Sequence, residues 1–140
     1  MLADNQMAEV NPSNAPALKP PKRGFRILVV DDNHDSASLL GEILKRLGET
    51  VEVASDGPAA LDKARSWAPD LALLDIGLPA MDGYELGARL RQQQSAIRLI
   101  ALTGYGQDAD HARSQDAGFE AHLVKPVDVA RLRDAIEGAR

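Results

Sequence analysis

Five side chains in this sequence have the types and placement to do chemistry together: the adjacent carboxylates of Asp31 and Asp32, the carboxylate of Asp75, the hydroxyl of Thr103 and the amine of Lys125. Each closes an apolar run: ILVV leads to Asp31, LALL to Asp75, LIAL to Thr103 and HLV to Lys125. Buried strands that end in like charges are not built for stability, because two carboxylates about 4 Å apart repel by roughly 4 kcal/mol at an effective dielectric near 20. A cation must share the site. Oxygen ligands alone, without Cys or His at ligand spacing, favour a hard ion, and Mg²⁺ suits a few carboxylates that leave several waters in place. With Lys125 as a second, fixed positive charge and Thr103 nearby, the set suits a transferring phosphoryl group. The cations neutralise its equatorial oxygens while a carboxylate oxygen attacks in line. Asp75 is the natural nucleophile, since it ends the strand that looks central, and the Asp31/Asp32 pair is better placed to hold metal.

The elements that must gather these residues alternate between two periods. Strands are predicted at RILVVD from residue 26, at Val51–Val53, at Leu71–Asp75, at Ile97–Leu102 and at Phe119–Val124. Between them, Leu40, Ile43, Leu44 and Leu47 recur at helical spacing, with Gly48 as the stop. A second helix starts at Asp56-Gly57-Pro58 and ends before Pro69, and a third opens near Asp82 with Leu86 and Leu90 on one face. The fourth, over roughly 107–117, has alanines as its only apolar residues. Asp128 caps a fifth, which carries Val129, Leu132 and Ile136. Five strands alternating with five helices predict right-handed crossovers and a parallel sheet covered on both faces, a three-layer α/β architecture. Ligands in such sheets bind beyond the carboxyl ends of the strands, which is where all five residues fall.

Composition narrows the function class. With 140 residues, 44% hydrophobic and 26% charged, the chain suits one packed domain. Residues 1–24 carry Pro12, Pro16, Pro20 and Pro21 without periodicity and read as a flexible Pro-rich tail or linker ahead of a domain at 25–140. A net charge of −5 argues against nucleic acid as a partner. The absence of cysteine removes disulfides and thiolate zinc sites and fits a reducing compartment. No apolar run approaches a bilayer span and no secretory signal pattern is present, so a cytoplasmic location without membrane contact is expected.

At ILVVDDN (27–33), LALLDIGLPAMDGYEL (71–86), IALTGYG (100–106) and HLVKPVD (122–128), the chain resembles the receiver domains of two-component response regulators, the fold of the bacterial chemotaxis response regulator. The resemblance implies a flavodoxin-like, doubly wound (βα)5 fold with a five-stranded parallel sheet. It makes Asp75 the phosphoacceptor, Asp32 a direct Mg²⁺ ligand, Asp31 a ligand through water or a hydrogen bond, and the Gly77 backbone carbonyl a further ligand. Thr103 and Lys125 would bind phosphoryl oxygens, and the Lys125–Pro126 peptide is expected to be cis. The donor would be a phosphohistidine on a histidine kinase or histidine phosphotransfer domain. The receiver would act as a signalling phosphoacceptor that supplies its own phosphotransfer and autodephosphorylation site. Thr103 would be drawn to the phosphoryl group, the loop Gly104-Tyr105-Gly106 would follow, and the surface formed by the fourth helix, fifth strand and last helix would signal to an output partner.

One position departs from that pattern. Receivers with an aromatic switch carry Tyr or Phe three residues before the lysine; here His122 is the expected switch residue with Thr103, able to swing between buried and exposed rotamers while adding a charge near neutral pH. GFEAHLVKPVD is more similar to receivers attached to hybrid histidine kinases, so a receiver segment of such a kinase is the alternative expectation. Two other classes compete. A haloacid-dehalogenase-like phosphatase needs an Asp two residues after its nucleophile, but Asp75 is followed by Ile76-Gly77. A pseudo-receiver that binds without phosphorylation typically lacks part of the acid set or the lysine. Taken singly, Asp31 or Asp32 could cap a helix, Thr103 could close a strand and Lys125 could be a solvated charge. Pro79 and Gly83 read as turn-formers, His34 and His111 as exposed, Trp67 as packed on the sheet, and Tyr105 as a cover over the loop or a gate for water.

Overall fold

The computed structural model describes residues 24–104 and 110–138. Its elements in chain order are β1 (Arg26–Val30), α1 (His34–Arg46), β2 (Thr50–Ala54), α2 (Gly57–Trp67) and β3 (Leu71–Asp75). They continue as α3 (Gly83–Gln93), β4 (Arg98–Thr103), α4 (His111–Ala117), β5 (Phe119–Val124) and α5 (Val129–Glu137). The five strands form one parallel sheet in the order β2-β1-β3-β4-β5. This is the doubly wound fold that strand-helix alternation implies. The expected tail at 1–24 lies outside the described residues except for Gly24, and so do Tyr105, Gly106 and the first residues of the expected fourth helix.

Alternation along each strand sends neighbouring side chains to opposite faces, and both faces are dry. Ile27, Val29, Leu71, Leu73, Ile100 and Leu102 pack under α1 and α5. Leu28, Val30, Ala72, Leu74 and Leu99 pack under α2 and α3. All five residues of β3 are buried. The helix starts follow the caps: the side chains of Asp56, Asp82 and Asp128 accept from Ala59 N–H, Glu85 N–H and Ala130 N–H, each satisfying an otherwise orphaned donor. Leu132 and Ile136 of α5 are buried, whereas Val129, expected on the same face, is 41% exposed.

The register sets the site. Val30 pairs with Leu74 and Asp75 pairs with Leu102, so the chain leaves β1 as Asp31 beside Asp75. Thr103 pairs with Val124, which puts Lys125 at the same rim.

Candidate functional site

The structure brings the three carboxylates together. Ligand oxygens of Asp31, Asp32 and Asp75 lie within 4.8 Å of one another, with Asp31 and Asp75 buried and Asp32 exposed. Neither Asp31 nor Asp32 caps α1. Asn33 does, its side chain accepting from Ser36 N–H, and this leaves the acidic pair to the cleft. Asp31 Oδ1 accepts from Asn33 N–H at 2.9 Å, and Asp75 Oδ1 accepts from Gly77 N–H at 2.8 Å. Each buried carboxylate is therefore held by one backbone donor, and Gly77 sits beside the phosphoacceptor candidate.

Lys125 reaches in from the end of β5. Its Nζ donates to Asp31 Oδ2 at 3.0 Å and to Asp75 Oδ2 at 3.3 Å. Its backbone N–H donates to Thr103 O at 2.7 Å, tying the rim of β5 to that of β4. The Lys125–Pro126 peptide is cis. Thr103 is buried, and its hydroxyl donates to Leu123 O at 3.5 Å, on the neighbouring strand.

The electrostatics divide the two buried acids. Burial pushes the Asp75 carboxyl up, the Asp31 charge adds to this, and the Gly77 N–H and Lys125 only partly offset it, so its pKa stands above the ordinary value. Burial also acts against ionised Asp31, but the Asn33 N–H and the Lys125 ammonium outweigh it and hold that carboxyl below the ordinary range. Burial disfavours charged Lys125, yet its bond to Asp31 and the charge of Asp75 raise its pKa above the usual amine value. Asp31 and Lys125 thus form the settled pair, while Asp75 is the less compensated of the two buried carboxylates.

Three carboxylates against one ammonium leave a net charge of −2 in the cleft. All the acidic donors are hard oxygens, and one lies at the exposed edge. This set fits Mg²⁺, which binds through few carboxylates and keeps several waters. It does not fit a soft metal, for which thiolate or imidazole ligands would be needed.

Further residues frame the site, most of them already singled out in the sequence. Gly83 is more than a turn-former: a Cβ there would lie 2.6 Å from Asp75 O and 2.7 Å from Ile76 Cα, so α3 begins against the backbone of Asp75. His122 is on β5 and faces α4. Its Nε2 is 2.9 Å from Ser114 Oγ, its ring stacks on Phe119 and meets His111 edge-on, and burial with the nearby His111 lowers its pKa. His34 is exposed, as is His111 despite its ring contact, and Trp67 packs partly buried against the α2/α3 side of the sheet. Asp82, Tyr84 and Arg113 form a cluster between α3 and α4 that no motif announces.

Comparison with known proteins agrees with this geometry. The family model described as response regulator receiver domain matches residues 27–137. The sporulation initiation phosphotransferase F of Bacillus subtilis (strain 168) is 37% identical over 112 residues, which cover 80% of this chain and 90% of that protein. A probable histidine kinase 2 of Oryza sativa subsp. indica is 31% identical over 136 residues, covering 84% of this chain but 13% of the kinase. Among solved structures, a CheY-like response regulator receiver domain protein from Methanospirillum hungatei JF-1 superposes with a TM-score of 0.77 at 33% identity, covering 83% of this chain and 93% of that one. Receiver domains of this kind serve two-component signal transduction, exchanging phosphoryl groups with histidine kinases or phosphotransferases and binding Mg²⁺ through their acidic cluster. With sheet order, rim geometry and sequence in agreement, the chain belongs to the response regulator receiver domain family.

Proposed function

We propose that Asp75 is the phosphoacceptor of a two-component phosphorelay and takes its phosphoryl group from a phosphohistidine on a kinase or a histidine phosphotransfer domain. The observation that carries this reading is the under-compensated, buried Asp75 carboxylate, 3.3 Å from the Lys125 amine and grouped with Asp31 and Asp32. A carboxylate oxygen of Asp75 forms the new O–P bond, the N–P bond of the donor breaks, and the imidazole leaves with that electron pair. Asp32 would hold Mg²⁺ directly, Asp31 through water or a hydrogen bond, and Gly77 through its carbonyl. When bound, the ion supplies charge neutralisation at the phosphoryl oxygens.

Lys125 turns from the carboxylates to a phosphoryl oxygen, and Thr103 exchanges the Leu123 carbonyl for another. Both movements act on the rims of β4 and β5 and bias the face formed by α4, β5 and α5, the surface for an output partner. Exposed Val124 and Val129 on β5 and α5, and the Ser114–His122 contact between α4 and β5, support that assignment. The chain acts once per phosphoryl group, as a signalling phosphoacceptor and not as a turnover enzyme. A receiver segment of a hybrid histidine kinase is the second reading, favoured by the likeness to the rice kinase.

Incubation with acetyl phosphate and Mg²⁺, followed by intact mass measurement, tests the proposal. One added phosphate on the wild type and none on Asp75→Asn is the expected result. Steady turnover of a free phosphoester, or a wild type that stays unmodified, overturns it.

A further inference from the structure

α4 is weakly held by apolar contact. Only Ser114 and Ala117 of its seven residues are buried, so something else must keep it in place. Besides the Ser114 and His111 contacts to His122 on β5, a polar set converges on the start of α3. Arg113 Nη1 lies 2.8 Å from Asp82 Oδ2, and its Nη2 donates to Asp82 Oδ1 at 3.1 Å, the two-pronged geometry that fits guanidinium to carboxylate. The same guanidinium lies 4.9 Å from the centroid of the Tyr84 ring. The Tyr84 hydroxyl accepts from Asp110 N–H at 2.8 Å, and Asp110 in turn caps α4 by accepting from Arg113 N–H. Burial raises the Asp82 carboxyl, but the Glu85 N–H and Arg113 outweigh it and keep its pKa below the ordinary value.

Both ends of this clasp connect to the site. Asp82 caps the helix whose first residue, Gly83, packs against the Asp75 carbonyl and donates its N–H to Ile76 O at 3.3 Å. The buried Tyr84 ring meets Phe119 edge-on at 5.8 Å, and Phe119 stacks on His122. Gly87 of α3 leaves room for that ring, since a Cβ there would lie 2.6 Å from Phe119 Cε1. The contacts therefore run from the backbone of Asp75, through the α3 cap, to the anchored end of α4.

We propose that Arg113 and Tyr84 are positioning residues: their clasp on Asp82 and Asp110 latches α4 to α3 in the unphosphorylated arrangement and opposes the shift that a phosphoryl group on Asp75 selects. The inference rests on the phosphoacceptor reading. The chain reaches α4 eight residues after Thr103, so drawing Thr103 into the cleft loads a helix that the clasp holds at its first turn. A ligand can only shift such an equilibrium by its differential affinity for the two states, and a latch present in one state alone must be overcome from that free energy. Opening the latch by mutation then makes the activated state easier to reach.

The test is binding of beryllofluoride with Mg²⁺, an aspartyl-phosphate mimic, to the full chain, read by calorimetry and paired with hydrogen exchange over residues 111–117. Arg113→Ala is expected to bind the mimic about fivefold more tightly than wild type, the scale of one exposed polar clasp. Its α4 amides should exchange faster before binding. Arg113→Lys keeps the charge without the fork and should fall between, as should Tyr84→Phe, which keeps the ring and loses the hydroxyl. A gain in affinity is not what local damage produces, so it separates latching from mere support. Equal or weaker binding by Arg113→Ala overturns the latch while leaving the phosphoacceptor reading intact. A wild type that does not bind the mimic overturns both.

Discussion

Removing the negative charge at Asp75 should stabilise the metal-free protein. Asp75 faces Asp31 and Asp32 with ligand oxygens within 4.8 Å. At an effective dielectric near 20, each repulsion at that distance is about 3.5 kcal/mol, or about 7 kcal/mol together. The Lys125 ammonium at 3.3 Å returns about 5 kcal/mol on the same scale. The balance is about 2 kcal/mol against the charged form, in the same direction as the raised pKa of Asp75. Asp75→Asn, of nearly equal size, should therefore be about 2 kcal/mol more stable than wild type at pH 7.5 in the presence of a chelator. That corresponds to roughly 5 to 10 °C in Tm.

Urea titration followed by the fluorescence of Trp67, the only tryptophan, measures the difference. Two controls follow from the same electrostatics. Because the folded pKa of Asp75 is raised, its protonation favours the folded state. Wild type thus gains relative to the variant as pH falls through that titration, and the gap closes. Saturating Mg²⁺ binds the folded wild type and adds about 2.7 kcal/mol at a hundred times its Kd, more than the crippled variant can gain. If Asp75→Asn is less stable than wild type without metal, or the gap ignores both pH and Mg²⁺, the carboxylate cluster is not the strained arrangement described.

Other consequences are independent of that balance. Gly83→Ala should destabilise by about 1–3 kcal/mol in chemical denaturation, although alanine is the better helix former, because the new methyl meets the backbone of Asp75 and Ile76. It should also slow modification by acetyl phosphate. Arg98→Lys should lower stability by about 1–2 kcal/mol, since the Arg98 guanidinium forks onto Glu120 and reaches the carbonyls of Ala135 and Ile136 at the end of α5, a span that an ammonium cannot cover. Equal urea midpoints would show that the fork is dispensable. Asp56→Ala should cost about 1 kcal/mol through loss of the α2 cap, measurable in the same titration.

Much of this molecule is readable before any coordinates, for a local reason. Strands β1, β3 and β4 are continuous apolar runs because both of their faces are covered, and their ends are marked by the acids or by Thr103. Asp56, Asp82 and Asp128 announce helix starts through side-chain bonds to the next turn, a contact within three residues. Topology then places Asp31, Asp75, Thr103 and Lys125 on one rim without further information. What stayed hidden depends on distance in sequence. Arg113 meets Asp82 across 31 residues, His122 meets Ser114 across a turn between helix and strand, and the role of Gly83 appears only when the Asp75 carbonyl is seen beside it. Asn33 is a different lesson: three consecutive residues could each have capped α1, and only the geometry of the turn decides among them.

The sheet order carries a mechanical consequence. Asp75 is mounted on the middle strand, clamped from both sides, whereas Lys125 follows β5, a margin strand with a single neighbour. An anvil and a loosely hinged arm thus meet at one ion pair. On the proposed phosphoacceptor role of Asp75, chemistry at the anvil would leave its mounting unmoved, and the arm, with less to hold it, would take up the displacement and deliver it to the molecule's outer flank.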